Sequence, residues 1–232
     1  MYVSEKPVLK YRHELKHLAN EAQADMLSKR LACLFPRDKN AGEHGRYYVT
    51  SVYFEDPFDS ALRQKIEGID RREKFRLRYY GSDTSFVKLE RKIKYKGLCS
   101  KQSAKLSTED VRHILNGEYG FLLDRNDPVC VDFYSKLQGN MLRPRVVVRY
   151  EREAFSYFPG NVRVTIDRGL RSSLNTIDFL TPFSGRVPVT DGAVVVEVKF
   201  DEFLPEVVQL ALAPLGQQAR AYSKYAFCRR LD

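Results

Sequence analysis

Charged side chains recur at every second position in several segments of this chain that otherwise have the composition of β-strands. In KFRLRYYG, residues 74–81, Phe75 and Leu77 alternate with Arg76 and Arg78. A period of two predicts a strand with one apolar face and one face that carries both arginines. The fold must therefore supply surroundings for a row of cations on a sheet.

Further strands share this pattern, with charges on one face and mostly apolar side chains on the other. The charged positions are Arg12, Glu14 and Lys16 in YRHELKH, Lys88, Glu90 and Lys92 in FVKLERKIKY, Arg163 and Asp167 in NVRVTIDRG, and Glu197 and Lys199 in AVVVEVKF. In RPRVVVRYEREAF, periodicity alone leaves open whether Tyr150 and Arg152 or Arg149 and Glu151 share that face. The stretch YYVTSVYFED is a further strand, mixed on both faces.

Helices are fewer, and three of them begin with recognisable caps. Asn20 with Gln23, Ser107 with Asp110, and Asp127 before a proline are typical helix starts. Helices are predicted over 20–35, 107–117, 127–139, 203–215 and 219–231. Strands and helices arrive in runs instead of alternating singly, which indicates an antiparallel-rich α+β fold in one domain spanning 1–232.

A solvent-exposed sheet face would account for the charges on one such strand. Four or five strands with the same pattern favour a closed sheet. In a barrel, positions along every strand alternate between inside and outside. If helices cover the apolar outer face, the charges point into the lumen, where unpaired lysines and arginines repel one another unless an anion is present. The interleaved carboxylates are suited to a divalent cation. The pattern therefore predicts an internal site for a polyphosphate with its metal ion.

Composition agrees with a polyanionic partner. The chain has 232 residues, with 39 Lys plus Arg against 30 Asp plus Glu, for a net charge of +9. No apolar run approaches the roughly 18 residues of a membrane span, and the N-terminus lacks the apolar stretch of a signal peptide. A cytoplasmic protein is expected. The four cysteines form no C-x-x-C pair, which favours reduced thiols over a zinc site.

These segments, taken in order, resemble the VTC domain of the triphosphate tunnel metalloenzyme superfamily. The resemblance runs from YRHELKH through SVYFEDPFDSALRQKIEG, KFRLRYYG, VKLERK, CSKQSAK, RYEREAF, NVRVTIDRGL and VVVEVKF to SKYAFCRRL. It implies an antiparallel eight-stranded β-barrel, the tunnel, flanked by α-helices. In the VTC branch, the polyphosphate polymerase module of the vacuolar transporter chaperone complex, it implies transfer of the ATP γ-phosphate onto polyphosphate with Mn²⁺ or Mg²⁺.

The resemblance also implies residue roles. The residues expected to act on the transferred phosphate are Lys16, Arg76, Arg78, Lys88, Arg152, Arg163 and Lys224. Further phosphate-binding positions are Lys92, Lys101, Lys105, Tyr150 and Lys199, with Lys101 and Lys105 near a tunnel mouth. Glu197 is the expected metal ligand, and Glu14, Glu90 and Asp167 are further candidates. The match at RYER places Tyr150 and Arg152 inside the tunnel.

One departure bears on the reaction. Relatives that hydrolyse triphosphates carry E-x-E-x-K near the N-terminus, whereas Arg12 replaces the first glutamate here. The more basic motif favours the polymerase. ATP and polyphosphate or triphosphate are the expected partners, and nucleic acid is not.

Other interpretations remain. One is a tunnel triphosphatase that hydrolyses inorganic or nucleoside triphosphate, and another is a non-catalytic polyanion- or RNA-binding module. HELKH, residues 13–17, is a literal H-E-x-x-H, but a zinc protease needs that motif on a helix, and here it alternates as a strand before the cap at Asn20.

Overall fold

The computed structural model describes residues 9–38, 40–42, 45–181, 186–189, 192–216, 219 and 221–229. The strands are β1 (His13–Ala19), β2 (Arg46–Glu55), β3 (Arg72–Tyr80), β4 (Asp83–Tyr95), β5 (Leu98–Ser107), β6 (Arg143–Tyr157), β7 (Val162–Ser173), β8 (Val187–Pro188) and β9 (Val194–Phe200). The α-helices are α1 (Glu21–Leu34), α2 (Ser60–Ile66), α3 (Thr108–Asn116), α4 (Phe121–Asp124), α5 (Pro128–Gly139), α6 (Glu206–Leu212) and α7 (Lys224–Cys228). Three short 3₁₀ turns cover Pro159–Asn161, Ile177–Leu180 and Ala213–Leu215.

The strands form one antiparallel sheet that curls until its two edges meet. Its order is β1-β9-β7-β6-β2-β3-β4-β5, and the two-residue β8 pairs with β7 outside this path. The edge strands β1 and β5 are joined next to their ends by a bridge in which Arg12 and Cys99 exchange two N–H···O bonds of 2.9 Å. The predicted α+β fold with an eight-stranded antiparallel barrel is confirmed, with a single bridge as the closure between β1 and β5.

Apolar side chains on the outer face pack under the helices. Phe75, Leu77 and Tyr79 of β3 are buried there, and Phe133 of α5 stacks on Phe75 with ring centroids 5.1 Å apart. On the opposite side of the barrel, α1 and α6 cover β7 and β9, and Leu27 is fully buried. The largest apolar clusters therefore lie outside the sheet, which leaves the inner face to the polar residues.

A smaller cluster lies inside the barrel. Tyr53, Val148 and Tyr150 pack there against Tyr225 and Cys228 of the C-terminal helix α7. Among the described residues, this is where the lumen is filled with apolar and aromatic side chains instead of charges. Helix α7 therefore packs against this part of the barrel lumen and brings Lys224 toward the charged part of the lumen.

The helix caps predicted from sequence are confirmed. Asn20 and Gln23 form a reciprocal capping box on α1, Ser107 and Asp110 do the same on α3, and Asp127 accepts from the first turn of α5. Each cap satisfies amide groups that a helix start leaves without partners.

Other elements differ from the sequence prediction. The helices α2 and α4 and the strand β5 were not predicted from periodicity. The last predicted helix, 219–231, is helical only over Lys224–Cys228, and residues 220, 230 and 231 lie outside the described residues. No helix in the described part of the chain is both long and apolar enough to span a membrane.

Candidate active site

The barrel encloses a cavity of about 320 Å³ that is lined mainly by charged side chains. We call it the main cavity. Strands β1 to β7, strand β9 and helix α7 all contribute to its wall. The lining residues are Lys10, Arg12, His13, Glu14, Lys16, Tyr53, Lys74, Arg76, Arg78, Tyr80, Lys92, Cys99, Ser100, Lys101, Tyr150, Arg152, Arg163, Glu197, Lys199, Ser223, Lys224 and Tyr225.

Most of the residues singled out in the sequence meet in this cavity. Those that line it are Lys16, Arg76, Arg78, Arg152, Arg163, Lys224, Lys92, Lys101, Tyr150, Lys199, Glu14 and Glu197. The ambiguity of β6 is resolved, because Tyr150 and Arg152 are the residues that face inward. Glu90 and Asp167 are almost completely buried behind the wall and are bonded to residues that line it.

Lys88 and Lys105 lie apart from the residues that line the main cavity. They are opposite each other in the β4–β5 register, and Lys88 is also opposite Arg78 of β3. The Lys88 ammonium is 5.3 Å from the ring centroid of Tyr80, which does line the cavity. Lys105 is exposed over Phe86. The structure places Lys88 and Lys105 beside the main cavity. Phosphate binding by these two lysines stays a prediction.

Glu90 holds three cations of β3 and β5. Its carboxylate accepts from Arg76 Nε at 2.7 Å and Lys101 Nζ at 2.8 Å, and Arg78 lies 3.9 Å away. Burial alone would raise the pKa of Glu90, but Arg76, Arg78 and Lys101 outweigh it and hold the pKa well below the ordinary value. The carboxylate is therefore ionised and orients the guanidinium of Arg76 before any ligand binds.

Asp167 does the same for cations of β6 and α7. It accepts two hydrogen bonds from Arg152, at 2.6 and 2.7 Å, and its Oδ2 is 2.7 Å from Lys224 Nζ. Burial raises the pKa of Asp167, but Arg152 and Lys224 lower it by more. The bidentate contact fixes the plane of the Arg152 guanidinium.

Tyr150 links the arginines of two strands. Its hydroxyl accepts from Arg78 Nη2 at 3.1 Å and from Arg152 Nη2 at 3.2 Å. Arg78 also donates to Ser51 at 2.9 Å, and Arg163 donates to the hydroxyl of Tyr47 at 3.1 Å. These neutral partners help to hold the arginines in place, and each of the three arginines also lies within 4.0 Å of a carboxylate.

Two further carboxylates lie on adjacent strands in the cavity wall. Glu14 of β1 is 2.6 Å from Lys92 and 3.0 Å from Lys16, and Glu197 of β9 is 2.7 Å from Lys199. Burial and the neighbouring Glu197 raise the pKa of Glu14, but the lysines outweigh them and lower it. The pKa of Glu197 is likewise well below its ordinary value, since Lys199, Lys16, Lys92 and Lys224 outweigh its burial.

The described residues contain no group of three or more His, Cys, Asp or Glu that would enclose a metal ion. Glu14 and Glu197 nevertheless fit a magnesium-like ion, because such ions commonly use one or two protein carboxylates and take their other oxygens from water and substrate phosphates. Glu90 and Asp167 are each taken up by cations. Glu14 and Glu197 are paired with lysines as well, but these two carboxylates line the main cavity, whereas Glu90 and Asp167 lie behind its wall. Glu14 and Glu197 are therefore the better pair of the four candidates, and ligation by Glu90 or Asp167 stays a prediction.

A second cavity of about 170 Å³ adjoins the main one. The two share wall residues, among them Lys16, Lys74 and Lys92. The second cavity is also lined by Lys65, Arg72 and Lys94, none of which forms an ion pair with a carboxylate among the described residues. Burial, Arg72, Lys16 and Lys94 together lower the pKa of Lys65, as expected for neighbouring like charges.

Several residues that line the main cavity were not predicted as site residues from the sequence, and Lys74 and Tyr53 are two of them. Lys74 lies on β3 and Tyr53 lies on β2. Lys74 precedes the quoted arginines by two positions on the same strand face, so the period of two was a signal for it. Tyr53 had no such signal, because both faces of β2 carry a mixture of apolar, aromatic and polar side chains.

The H-E-x-x-H motif lies on a strand and not on a helix. His13 and His17 lie on strand β1, where His13 stacks on Phe200 with ring centroids 4.9 Å apart and His17 is buried. Burial lowers the pKa of His17. The helical spacing that a zinc protease needs is absent from this segment, as the sequence predicted.

A sequence model of the VTC domain matches residues 11–231. The chain belongs to the VTC domain family. This match covers every strand and helix described above, from β1 to α7. The chain matches none of the curated proteins by sequence.

Solved structures with the same fold include two cyclase-like proteins. A putative adenylate cyclase from Bacillus halodurans superposes on this VTC domain with a TM-score of 0.53 at 14% identity, covering 91% of this chain and 93% of the other. A putative adenylyl cyclase from Hippeastrum, described as having a dominant triphosphatase activity, superposes with a TM-score of 0.59 at 11% identity, covering 94% and 95%. At these identities the likeness concerns the fold.

Proposed function

We propose that this VTC domain is a metal-dependent phosphotransferase that moves the γ-phosphate of ATP onto a polyphosphate chain. The observation that carries the proposal is the pair of adjoining cation-lined cavities. The main cavity holds cations already oriented by Glu90, Asp167 and Tyr150. The second cavity presents Lys65, Arg72 and Lys94 without ion-pair partners among the described residues. A triphosphate in the first then has room beside it for a longer anionic chain.

The reaction is a displacement at phosphorus. An oxygen of the terminal phosphate of the acceptor forms a bond to the γ-phosphorus, and the bond from that phosphorus to the bridging oxygen of ADP breaks with its electron pair. Negative charge spreads over the equatorial oxygens, so positioning and cationic stabilisation supply most of the catalysis. Arg76, Arg78 and Arg152 suit this role, because hydrogen bonds hold each guanidinium in place before substrate arrives.

Lysines contribute differently from the arginines. Lys16, Lys92 and Lys199 act as point charges, which tolerate different positions of a phosphate chain. Each is also close to Glu14 or Glu197. A divalent cation held by these two carboxylates would neutralise phosphate charge and would allow the lysines to turn toward the substrate.

Hydrolysis of triphosphate is the second candidate. The Hippeastrum protein with this fold is described as mainly a triphosphatase. The same cations would then bind the substrate, with water in place of the polyphosphate acceptor. A non-catalytic polyanion-binding module is the third candidate, and the same experiment separates all three.

The deciding experiment is incubation of the purified protein with γ-labelled ATP and Mn²⁺, with and without a short polyphosphate primer. We expect a labelled polyphosphate ladder with release of ADP. Free phosphate alone would establish a triphosphatase instead. No turnover despite tight triphosphate binding would establish a binding module. Lys29→Met, at an exposed position on α1 away from both cavities, is the control for purification and assay.

A further inference from the structure

Lys74 differs from the other cations of the main cavity. Every other described lysine or arginine in its wall lies within 4.0 Å of a carboxylate. Lys74 forms no ion pair with a carboxylate among the described residues. It also lines the second cavity, so it lies where the two cavities adjoin.

Aromatic rings surround the Lys74 ammonium. Its Nζ is 5.1 Å from the ring centroid of Tyr53 and 5.5 Å from that of Tyr225. The Tyr53 hydroxyl accepts a hydrogen bond of 2.9 Å from Arg76 Nη1. Tyr225 of α7 is hydrogen-bonded to Glu55 on the far side of this cluster. The contact with the Arg76 guanidinium stabilises an ionised phenol at Tyr53.

The neighbouring charges support proton exchange at these two groups near neutral pH. Burial would raise the pKa of Tyr53, but Arg76, Lys74 and Arg78 outweigh it and lower the pKa to about 7. Burial lowers the pKa of Lys74 to about 8, with Tyr53 opposing the change and Lys92, Arg76 and Lys16 adding to it. Two coupled groups of this kind titrate as one unit.

We propose that Tyr53 and Lys74 are a pair of neighbouring titrating groups, and that a triphosphate binds in the main cavity together with a proton taken up by this pair. The proposal rests on the proposed function only for the identity of the anion. With the cavity empty, the pair holds fewer than two protons at slightly alkaline pH. A bound polyanion favours the ammonium and disfavours the phenolate, so both groups become protonated. Lys74 then contributes a full positive charge that no protein carboxylate neutralises.

Linkage fixes the sign of the pH effect. Because the complex holds more protons than the empty protein, triphosphate affinity falls as pH rises above about 8, where the empty pair has lost its proton. For uptake of one proton, the slope approaches a tenfold loss of affinity per pH unit. The proton comes from solvent, so uptake is measurable directly as heat exchanged with the buffer.

The test is calorimetric titration of metal-free protein with sodium tripolyphosphate, in buffers of different ionisation enthalpy, between pH 6.5 and 9.5. We expect the wild type to take up close to one more proton per bound anion than Lys74→Met at about pH 8. Tyr53→Phe should also lose much of this additional proton uptake. Lys101→Met removes a cavity lysine that is paired with Glu90 and is not among the charges that lower the pKa of Lys74, so it should weaken binding and retain the uptake. Lys74→Arg keeps the charge without releasing a proton in this range, so it should bind without the excess uptake.

A second measurement examines the pair without ligand. The tyrosinate absorbance of wild type minus that of Tyr53→Phe should show a midpoint near pH 7. Equal proton uptake by wild type and Lys74→Met, or no tyrosinate difference below pH 9, overturns the pair. Uptake without any turnover of ATP supports the pair and overturns the phosphotransferase. Turnover without the excess uptake overturns the pair alone, and failure to bind tripolyphosphate overturns both.

Discussion

Arg76 and Arg78 occupy the face of β3 that points into the barrel, and their side chains are oriented before a ligand binds. Arg76 donates to Glu90 and Tyr53, and Arg78 donates to Ser51 and Tyr150. Such contacts remove much of the conformational entropy that a flexible cation loses when it binds phosphate. The same guanidiniums remain charged at any physiological pH. The arginine row noticed in the sequence thus forms part of the wall of the main cavity.

The first residue-scale prediction concerns Arg78. Arg78→Ala removes a charge from the cavity and leaves the hydroxyls of Ser51 and Tyr150, which are neutral and able to bind water in its place. We expect tripolyphosphate affinity to fall at least about tenfold, since a charged hydrogen bond is worth roughly 1.5–3 kcal/mol. Turnover should be lost. Calorimetry measures binding, and circular dichroism checks the fold.

Arg78→Lys is the matched control, because it keeps the charge but loses the fork of donors. It should bind more tightly than Arg78→Ala and less tightly than the wild type. Wild-type affinity in Arg78→Ala would contradict the placement of this arginine at the phosphate.

The second residue-scale prediction separates the acidic residues. Glu197→Gln should raise the metal concentration for half-maximal activity by about tenfold or more, because it removes one of two carboxylate ligands. Glu90→Gln should reduce activity through Arg76 and Lys101 without raising the metal requirement. Activity is measured across a Mn²⁺ titration. If both variants change the metal requirement equally, the division of roles between the two glutamates is wrong.

Helices and strands differ in how far neighbouring residues in the sequence determine them. Helices α1, α3 and α5 begin at the residues that their caps predict, because a cap is a contact between positions two or three apart. Strand β5, LCSKQSAKLS, carries polar and small residues and was missed. It is a strand because β4 supplies its hydrogen-bond partners, from Tyr95 opposite Leu98 to Phe86 opposite Ser107. Tertiary pairing overrides weak propensity there.

The element-scale prediction concerns the cap of α1. Asn20→Ala removes the acceptor for the Gln23 amide, which is 2.8 Å away. We expect the free energy of unfolding to fall by about 0.5–2 kcal/mol, as for other cap removals. Tripolyphosphate affinity should stay unchanged, because α1 packs on the outer face of the barrel.

Urea denaturation followed by circular dichroism gives the stability, with Asn20→Ser as the control that keeps a capping oxygen. An unchanged midpoint in Asn20→Ala would show that the capping box contributes nothing measurable to this fold. A change in ligand affinity would show that α1 is coupled to the cavity.

At the scale of the whole molecule, the two cavities differ in whether their cations are paired with carboxylates. In the main cavity, the cations other than Lys74 are paired with carboxylates, whereas the second cavity has Lys65, Arg72 and Lys94 without such partners among the described residues. A short anion gains from the first region only. A longer chain gains from both, which is the physical reason to expect length dependence.

The length prediction is therefore that polyphosphate of about ten phosphates binds more tightly than tripolyphosphate, and that the difference shrinks when salt is raised. A triple variant, Lys65→Met with Arg72→Met and Lys94→Met, should lose this difference and keep most of its affinity for tripolyphosphate. Competition binding at low and high salt measures the difference in affinity between the long chain and tripolyphosphate. A triple variant that retains the full preference for long chains would exclude the second cavity as their binding region.

The remaining whole-molecule prediction concerns stability against pH. The pKa of Tyr53, about 7, and that of Lys74, about 8, lie below the ordinary values of 10.0 and 10.5. The unfolded chain thus binds more protons between about pH 7 and pH 10, so these groups make the free energy of unfolding rise with pH in that window. Lys74→Met should flatten the rise.

The same variant should also be more stable than the wild type near pH 7, because it removes a cation that lacks a carboxylate partner. We expect its Tm to rise by a few degrees while tripolyphosphate affinity falls. Thermal unfolding of the wild type and of Lys74→Met from pH 6 to 10 measures how the stability of each protein depends on pH. A lower Tm together with an unchanged slope would contradict the charge balance described for Lys74.

The sequence by itself determined which residues of each regular strand share a face, where the capped helices begin, and that cations and carboxylates occur together on one side of the sheet. These properties depend on neighbours within a few positions, so periodicity and local chemistry suffice. The face of β6 was not decided by periodicity, and the resemblance to the family decided it correctly.

Only the tertiary structure decided which charges meet. Glu14 pairs with Lys92 across 78 positions, Asp167 joins Arg152 to Lys224 of the last helix, and Lys74 has no acidic partner among the described residues. These outcomes depend on strand order, register and closure of the barrel, which no local pattern encodes. The number of charges could be read from the chain, but their balance at each point of the lumen depends on distances between strands far apart in sequence.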